Sequence, residues 1–189
     1  DEDLNTLLNH ALQKQIVVEE MCGDMRSFTN LDLTYISRTF CVMHVINRVL
    51  KYMKRAMLHI DVDIEKCIEN TKIKGYESMI VNLTINLFSN ALNAITKRFA
   101  DEKGGILNVV INGNEKELIM YVSDNGVGMS AEKLNGLLGL KVNQNTPDTL
   151  SGVGQMMNRE YIDKHNGKIE VESKPELGTT FKIFLARNS

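Results

Sequence analysis

Asn82, Asn86, Asn90 and Asn93 follow one another at steps of four, four and three inside an otherwise apolar segment. Those steps place all four on one face of an α-helix. Asparagine is a poor helix former because its amide competes for backbone hydrogen bonds, so a stripe of four calls for a reason. An amide carbonyl is a hard oxygen ligand, suited to a Mg²⁺ that keeps several waters and shares phosphate oxygens. Taken alone, the stripe also reads as an Asn-rich surface.

Three further groups lie downstream. Ser123-Asp124-Asn125-Gly126-Val127-Gly128-Met129 follows an expected strand. Its glycines permit close approach of a ligand to the backbone, and the Asp124 carboxylate can accept a hydrogen bond from an exocyclic amine such as that of adenine. An ordinary turn is built from the same residue types. Ser151-Gly152-Val153-Gly154 stands directly before an expected helix, where unpaired N–H groups and the helix dipole favour an anion. A flexible hinge is the plainer alternative. Gly178-Thr179-Thr180 opens the last strand, where Thr180 can offer a hydroxyl and Gly178 can make a tight turn. Neither GxGxxG nor GxxxxGK[ST] occurs, so the two common glycine-rich nucleotide folds are unsupported. In combination and in this order, the four groups describe a pocket for a nucleotide and Mg²⁺.

The elements that must hold these groups are read from periodicity. Residues 1 to about 27 read as one expected helix, with Leu4, Leu8, Ala11, Gln15, Val18, Cys22 and Met25 as a 3.5-residue seam broken only by Gln15. Such a seam seeks a partner helix; packing on its own domain is the alternative. A second helix is expected from about Leu33 to Met57, its apolar face Ile36, Phe40, Met43, Ile46, Leu50, Met53 and Met57. Leu58 to Ile64 alternates as a strand with one buried face. Glu77 to Phe99 is the helix of the asparagine stripe. Ile106–Ile111 and Glu117–Ser123 flank the turn Asn112-Gly113-Asn114 as a hairpin. A short helix over Ala131–Leu138, a loop over residues 139 to 152 and a helix from Val153 to His165 follow. Lys168–Ser173 and Thr179–Ala186 close the chain as a second hairpin. About five strands with locally paired order argue α+β, helices layered on one face of a mixed sheet.

Bulk properties set the bounds. The 189 residues allow one sizeable core with an appendage. A formal net charge of -2 supplies no field for nucleic acid or an anionic membrane, so a nucleic-acid partner is not expected. No apolar run approaches the roughly 20 residues needed to span a bilayer. Cys22, Cys41 and Cys67 form neither a disulfide framework nor a metal pattern, and read as reduced thiols.

Together the motifs resemble the ATP-binding domain of the GHKL superfamily, which includes sensor histidine kinases, gyrase-type ATPases, Hsp90 chaperones and MutL-type repair proteins. Asn86-Leu87-Phe88-Ser89-Asn90-Ala91 is similar to the N box of sensor histidine kinases, Asp124-x-Gly126-x-Gly128 to the G1 box, Gly152-x-Gly154 to the G2 box, and Gly178-Thr179-Thr180 to the Gly-Thr motif. The resemblance covers about residues 31 to 187. It implies a Bergerat-type α/β sandwich, a mixed sheet backed by helices. It implies ATP and Mg²⁺ as cofactors, with Asn90 as metal ligand and Asn86, Asn93, Asp124, Gly126, Gly128, Gly152, Gly154 and Thr180 around the nucleotide. Asn86 stands where the gyrase-like branch has a catalytic Glu; an amide cannot act as that base, so phosphotransfer is expected in place of rapid hydrolysis, with Asn86 and Asn90 as the catalytic pair. Residues of about 130 to 151 would form the ATP lid.

Departures from the family pattern are visible. Asn93 and Ala94 occupy positions where kinases often carry a basic and then an aromatic residue, and Lys97 or Arg98 can supply the charge instead. Residues 130 to 151 contain no aromatic residue, and Gln155 stands where Leu is common. None of His10, His44, His59 and His165 fits a phosphoacceptor pattern. The expectation is therefore a sensor histidine kinase fragment, with residues 1–30 the tail helix of a dimerisation and phosphoacceptor domain and 31–189 the catalytic domain. Its partners would be the histidine-bearing dimerisation domain of the same protein and a response regulator or receiver domain. The full-length protein would be a homodimer, with this domain cytoplasmic and its parent sensor membrane-linked or hybrid. A degenerate nucleotide-binding interaction module and an anti-sigma-type serine kinase are the alternatives.

Overall fold

A computed structural model describes residues 36–100, 102–139 and 160–188. The amino-terminal helical seam, most of the expected lid, Gly152, Gly154, Gln155 and the start of the following helix lie outside the described residues.

Strand β1 (Arg38–Cys41) leads directly into α1 (Val42–Met53). The expected single helix from Leu33 to Met57 is thus corrected: its amino-terminal part is a strand. Phe40 is buried in β1, so its apolar character signals core without specifying helix. Within α1 the buried residues are Val42, Val45, Ile46, Val49 and Met53, the spacing of one helical face. Strand β2 (Ile60–Lys66) follows, two residues later than the alternation suggested. A four-residue strand β3 (Lys72–Gly75), absent from the sequence reading, pairs antiparallel with β1.

Helix α2 (Glu77–Phe99) has the bounds that periodicity gave. It contacts α1 as well as the sheet, and Ile80, Leu83, Leu87 and Phe88 are among its fully buried residues. Glu77 in its first turn binds Arg38 of β1 at 2.7 Å and Arg48 of α1 at 3.1 Å. The carboxylate also lies at the positive end of the helix dipole. His165 closes the same end from the other side of the sequence: its Nε2 accepts from the Tyr76 backbone N–H at 2.9 Å, and its Nδ1 lies 2.6 Å from the Tyr161 carbonyl.

The main sheet has the order β2-β4-β5-β7-β6, with β4 (Gly105–Gly113), β5 (Glu117–Asp124), β6 (Lys168–Lys174) and β7 (Gly178–Ala186). Only the β2–β4 pair is parallel, and the sheet is therefore mixed. α3 (Ala131–Gly139) follows β5, and residues 160–163 are helical. Side chains alternate along each strand. The face toward α2 carries three successive apolar rows across β5 and β7: Leu118 with Leu185, Met120 with Ile183, Val122 with Phe181. This is the expected α+β architecture. Among the described residues no helix is long and apolar enough to cross a membrane.

Candidate nucleotide site

The fourth row of that face is different. Asp124, the last residue of β5, stands opposite Thr179 of β7, which stands opposite Ser173 of β6. Strand register thus puts a carboxylate and two hydroxyls at the end of an apolar surface, beside the loops that leave β5 and β6. Thr179 is buried, with Oγ1 2.9 Å from Ser173 Oγ. Ser173 Oγ also donates to the Gly178 carbonyl at 3.0 Å and accepts from the Met129 N–H at 2.8 Å.

Thr180, the hydroxyl expected in the site, is on the opposite face. Its Oγ1 donates to Ser123 Oγ at 3.0 Å. The structure brings Thr179, not Thr180, beside Asp124. Alternation held the signal: Thr179 is in phase with the buried Phe181, Ile183 and Leu185.

Asp124 Oδ1 accepts the Gly126 N–H at 2.8 Å, and the Thr179 backbone adds a second hydrogen bond to the carboxylate. Burial nevertheless dominates and pushes the carboxyl above its usual range, the two backbone bonds pulling the other way. The carboxyl forms no ion pair among the described residues.

The loop after Asp124 docks on α2. Val127 N–H donates to the Ala94 carbonyl at 3.1 Å. Gly126 lies so close that an added Cβ would overlap the Ala94 backbone and come within 2.6 Å of its Cβ. At this position glycine is needed for proximity. Gly128 has φ +65° and faces the Lys174 carbonyl, and the Glu176 N–H reaches Val127 O at 2.8 Å. Asn86, Asn90 and Ala94 are consecutive positions of one i, i+4 ridge. The ridge therefore runs from two half-buried amides to the backbone of the Asp124 loop. Asn93 is exposed and one position off this ridge.

The asparagine ridge offers half-buried amide oxygens, which are hard donors. Among the described residues no group of three His, Cys, Asp or Glu side chains can hold a metal. A cation here would take hard amide oxygen from Asn90 and complete its shell with water and phosphate, as Mg²⁺ does.

The chain matches the family model described as histidine kinase-, DNA gyrase B- and HSP90-like ATPase over residues 75–189. The chain belongs to that family. Every strand and helix described above from α2 onward falls within the match, as do the Asp124 loop and the asparagine ridge. The chain is 25% identical over 139 residues to the heme sensor protein HssS of Staphylococcus saprophyticus, covering 74% of this chain and 29% of that protein. It is 33% identical over 113 residues to the C4-dicarboxylate transport sensor protein DctB of Rhizobium meliloti, covering 60% of this chain and 17% of that protein. Sporulation kinase A of Bacillus subtilis is 30% identical over 114 residues, 59% of this chain and 17% of the kinase. The chain thus spans under a third of the length of each of these relatives. The same fold occurs in the nucleotide-free catalytic domain of histidine kinase ThkA, with TM-score 0.67, 19% identity, and coverage of 82% of this chain and 99% of that one. The Mycobacterial sensor histidine kinase MprB superposes with TM-score 0.65 at 18% identity, covering 81% and 99%.

Proposed function

We propose that this chain binds ATP with Mg²⁺ between the Asp124–Thr179 row and the α2 ridge, and serves as the catalytic domain of a sensor histidine kinase. The observation that carries the reading is the polar row at the end of three apolar ones. The apolar rows are already covered by α2, so a purine would sit at their polar end, where its exocyclic amine meets an acceptor-only carboxylate. Guanine turns a carbonyl toward the same carboxylate and is rejected. Family membership and the likeness to sensor proteins support the kinase reading.

In this reading Asp124 binds the adenine amine and Thr179 shares that end of the site. Gly126 and Gly128 let the loop close, and Asn86 and Asn90 face the phosphates. Asn90, with Asn86 beside it, would hold Mg²⁺, which when bound offsets the negative charge of the phosphates. Gly152 and Gly154 keep their proposed place at the lid and phosphates. Asn86 cannot take a proton from water as a carboxylate can. The site therefore positions the γ-phosphate for in-line attack by another group and does little to activate water. That group would be a histidine on the dimerisation domain of the same protein, whose tail helix would be residues 1–30, with 31–189 as the catalytic domain. A receiver domain would take the phosphate next, and the full-length protein would be a homodimer with this domain on the cytoplasmic side.

The test has two steps. Calorimetric titration with a non-hydrolysable ATP analogue, with and without Mg²⁺ and beside a GTP control, should give adenine-selective, Mg²⁺-sensitive binding. A separately supplied histidine-bearing dimerisation domain should then acquire acid-labile phosphate from ATP. Acid-stable phosphate on serine would move the reading to a serine kinase; binding without transfer to any acceptor would leave only a nucleotide-binding module.

A further inference from the structure

α2 continues beyond Ala94, and Arg98 stands one turn further along the same ridge. Its Nη1 donates to the Asn125 carbonyl at 2.8 Å and reaches the Gly126 carbonyl at 3.4 Å. Those carbonyls belong to the two residues that follow Asp124. Asn125 fastens the same segment to β4: its Nδ2 donates to the Gly104 carbonyl at 2.8 Å, and its Oδ1 accepts the Ile106 N–H at 2.8 Å. The loop is therefore held by α2 through Arg98 and by β4 through Asn125.

An arginine near a nucleotide pocket is commonly read as a phosphate ligand, since its fork of donors suits phosphate oxygens. Here one nitrogen of the fork, Nη1, is turned to backbone carbonyls of the loop that carries Asp124. We infer that Arg98 is a positioning residue for the purine end of the pocket, which with Asn125 latches the 124–128 loop so that Asp124 stays aimed at the base. This rests on the nucleotide reading above and assigns Arg98 no phosphate contact.

Adenosine, which has no phosphate, separates the two roles. In the full chain, Arg98→Met should weaken adenosine and Mg-ATP by the same factor, about tenfold, as expected for a hydrogen bond made by a charged donor. A phosphate ligand would weaken Mg-ATP and leave adenosine unchanged, which overturns the inference. Arg98→Lys restores one donor without the fork and should recover part of the adenosine affinity. A latch acts through Asp124, so Asp124→Asn combined with Arg98→Met should bind adenosine within about twofold of Asp124→Asn alone, because effects routed through one group do not add. Full additivity would show a general structural effect and overturn the latch. Near-UV circular dichroism and thermal melting check that each variant is folded. If the unaltered chain binds neither ligand, the nucleotide reading falls and the latch with it. If it binds both and Arg98→Met binds adenosine equally well, only the latch falls.

Discussion

Asp124 is half-buried with two backbone hydrogen bonds and a carboxyl raised above its ordinary range by desolvation. A raised folded value means that the folded state holds the proton more tightly than the unfolded state. Its contribution to stability is present below the unfolded value near 3.8 and is lost as pH rises through the folded value. Above the folded value the ionised carboxylate is thus a cost to the empty fold. Asp124→Asn should leave the melting temperature at pH 7 unchanged or higher, while adenine binding falls by about tenfold to a hundredfold. Melting and titration on the same sample check both halves. A second prediction concerns Gly178, at φ +104° with its Cα turned toward the Asp124 carbonyl. Gly178→Ala adds both a strained backbone and a clash with a backbone atom, and should cost about 2 kcal/mol or more in denaturant unfolding. At this scale the sequence made the loop legible, since Asp124 ends β5 and the turn residues Gly126 and Gly128 follow it; the roles of these residues belong to the proposal. Thr179 and Thr180 are identical side chains on opposite faces, and strand phase, which motif position does not carry, places Thr179 in the row of Asp124.

At the scale of elements, the hairpins and α2 were legible because each has a long, regular pattern bounded by turn residues. β1 was hidden: Ile36, Phe40 and Met43 keep a helical spacing straight through a strand of four residues. β3 carries one buried apolar side chain, Ile73, between Lys72 and Lys74, too little for a period to appear. Its reason to exist is tertiary, since it delivers the chain from β1's partner position to the start of α2. The joint there is His165, fully buried, with burial pushing its imidazole below the ordinary value of 6.5. The unfolded state then binds the extra proton, so this contribution to stability is present above about pH 6.5 and lost as pH falls through the folded value. His165→Gln should flatten the loss of stability between pH 7 and pH 5, measured by denaturant unfolding across that range. Gly75 faces the same ring, where an added Cβ would overlap Cδ2 and Nε2. Gly75→Ala should cost about 1–3 kcal/mol, the penalty for overpacking.

For the whole molecule, Arg187 ties the far end of the sheet to the smaller one. It is buried, and its guanidinium donates to the carbonyls of Asn114, Lys72 at 2.9 Å and Asn70 at 2.7 Å. Arg187→Met should lower unfolding free energy by about 2 kcal/mol through orphaned carbonyls, with nucleotide affinity per folded molecule little changed. Denaturant melts and titration separate the two. One of those carbonyls belongs to the turn between β4 and β5, the turn that sets the phase of β5. Asp124 faces α2 only because it lies an even number of residues from Met120 and Val122. A side chain that reports to a strand's parity has two addresses and no intermediate ones. Loss or gain of one residue in that turn would send the carboxylate to the back of the sheet and turn the apolar side chains of β5 out of the core. Mutational drift can therefore retune this site by substitution, whereas length changes at a hairpin turn on the other end of the strand erase it in one step.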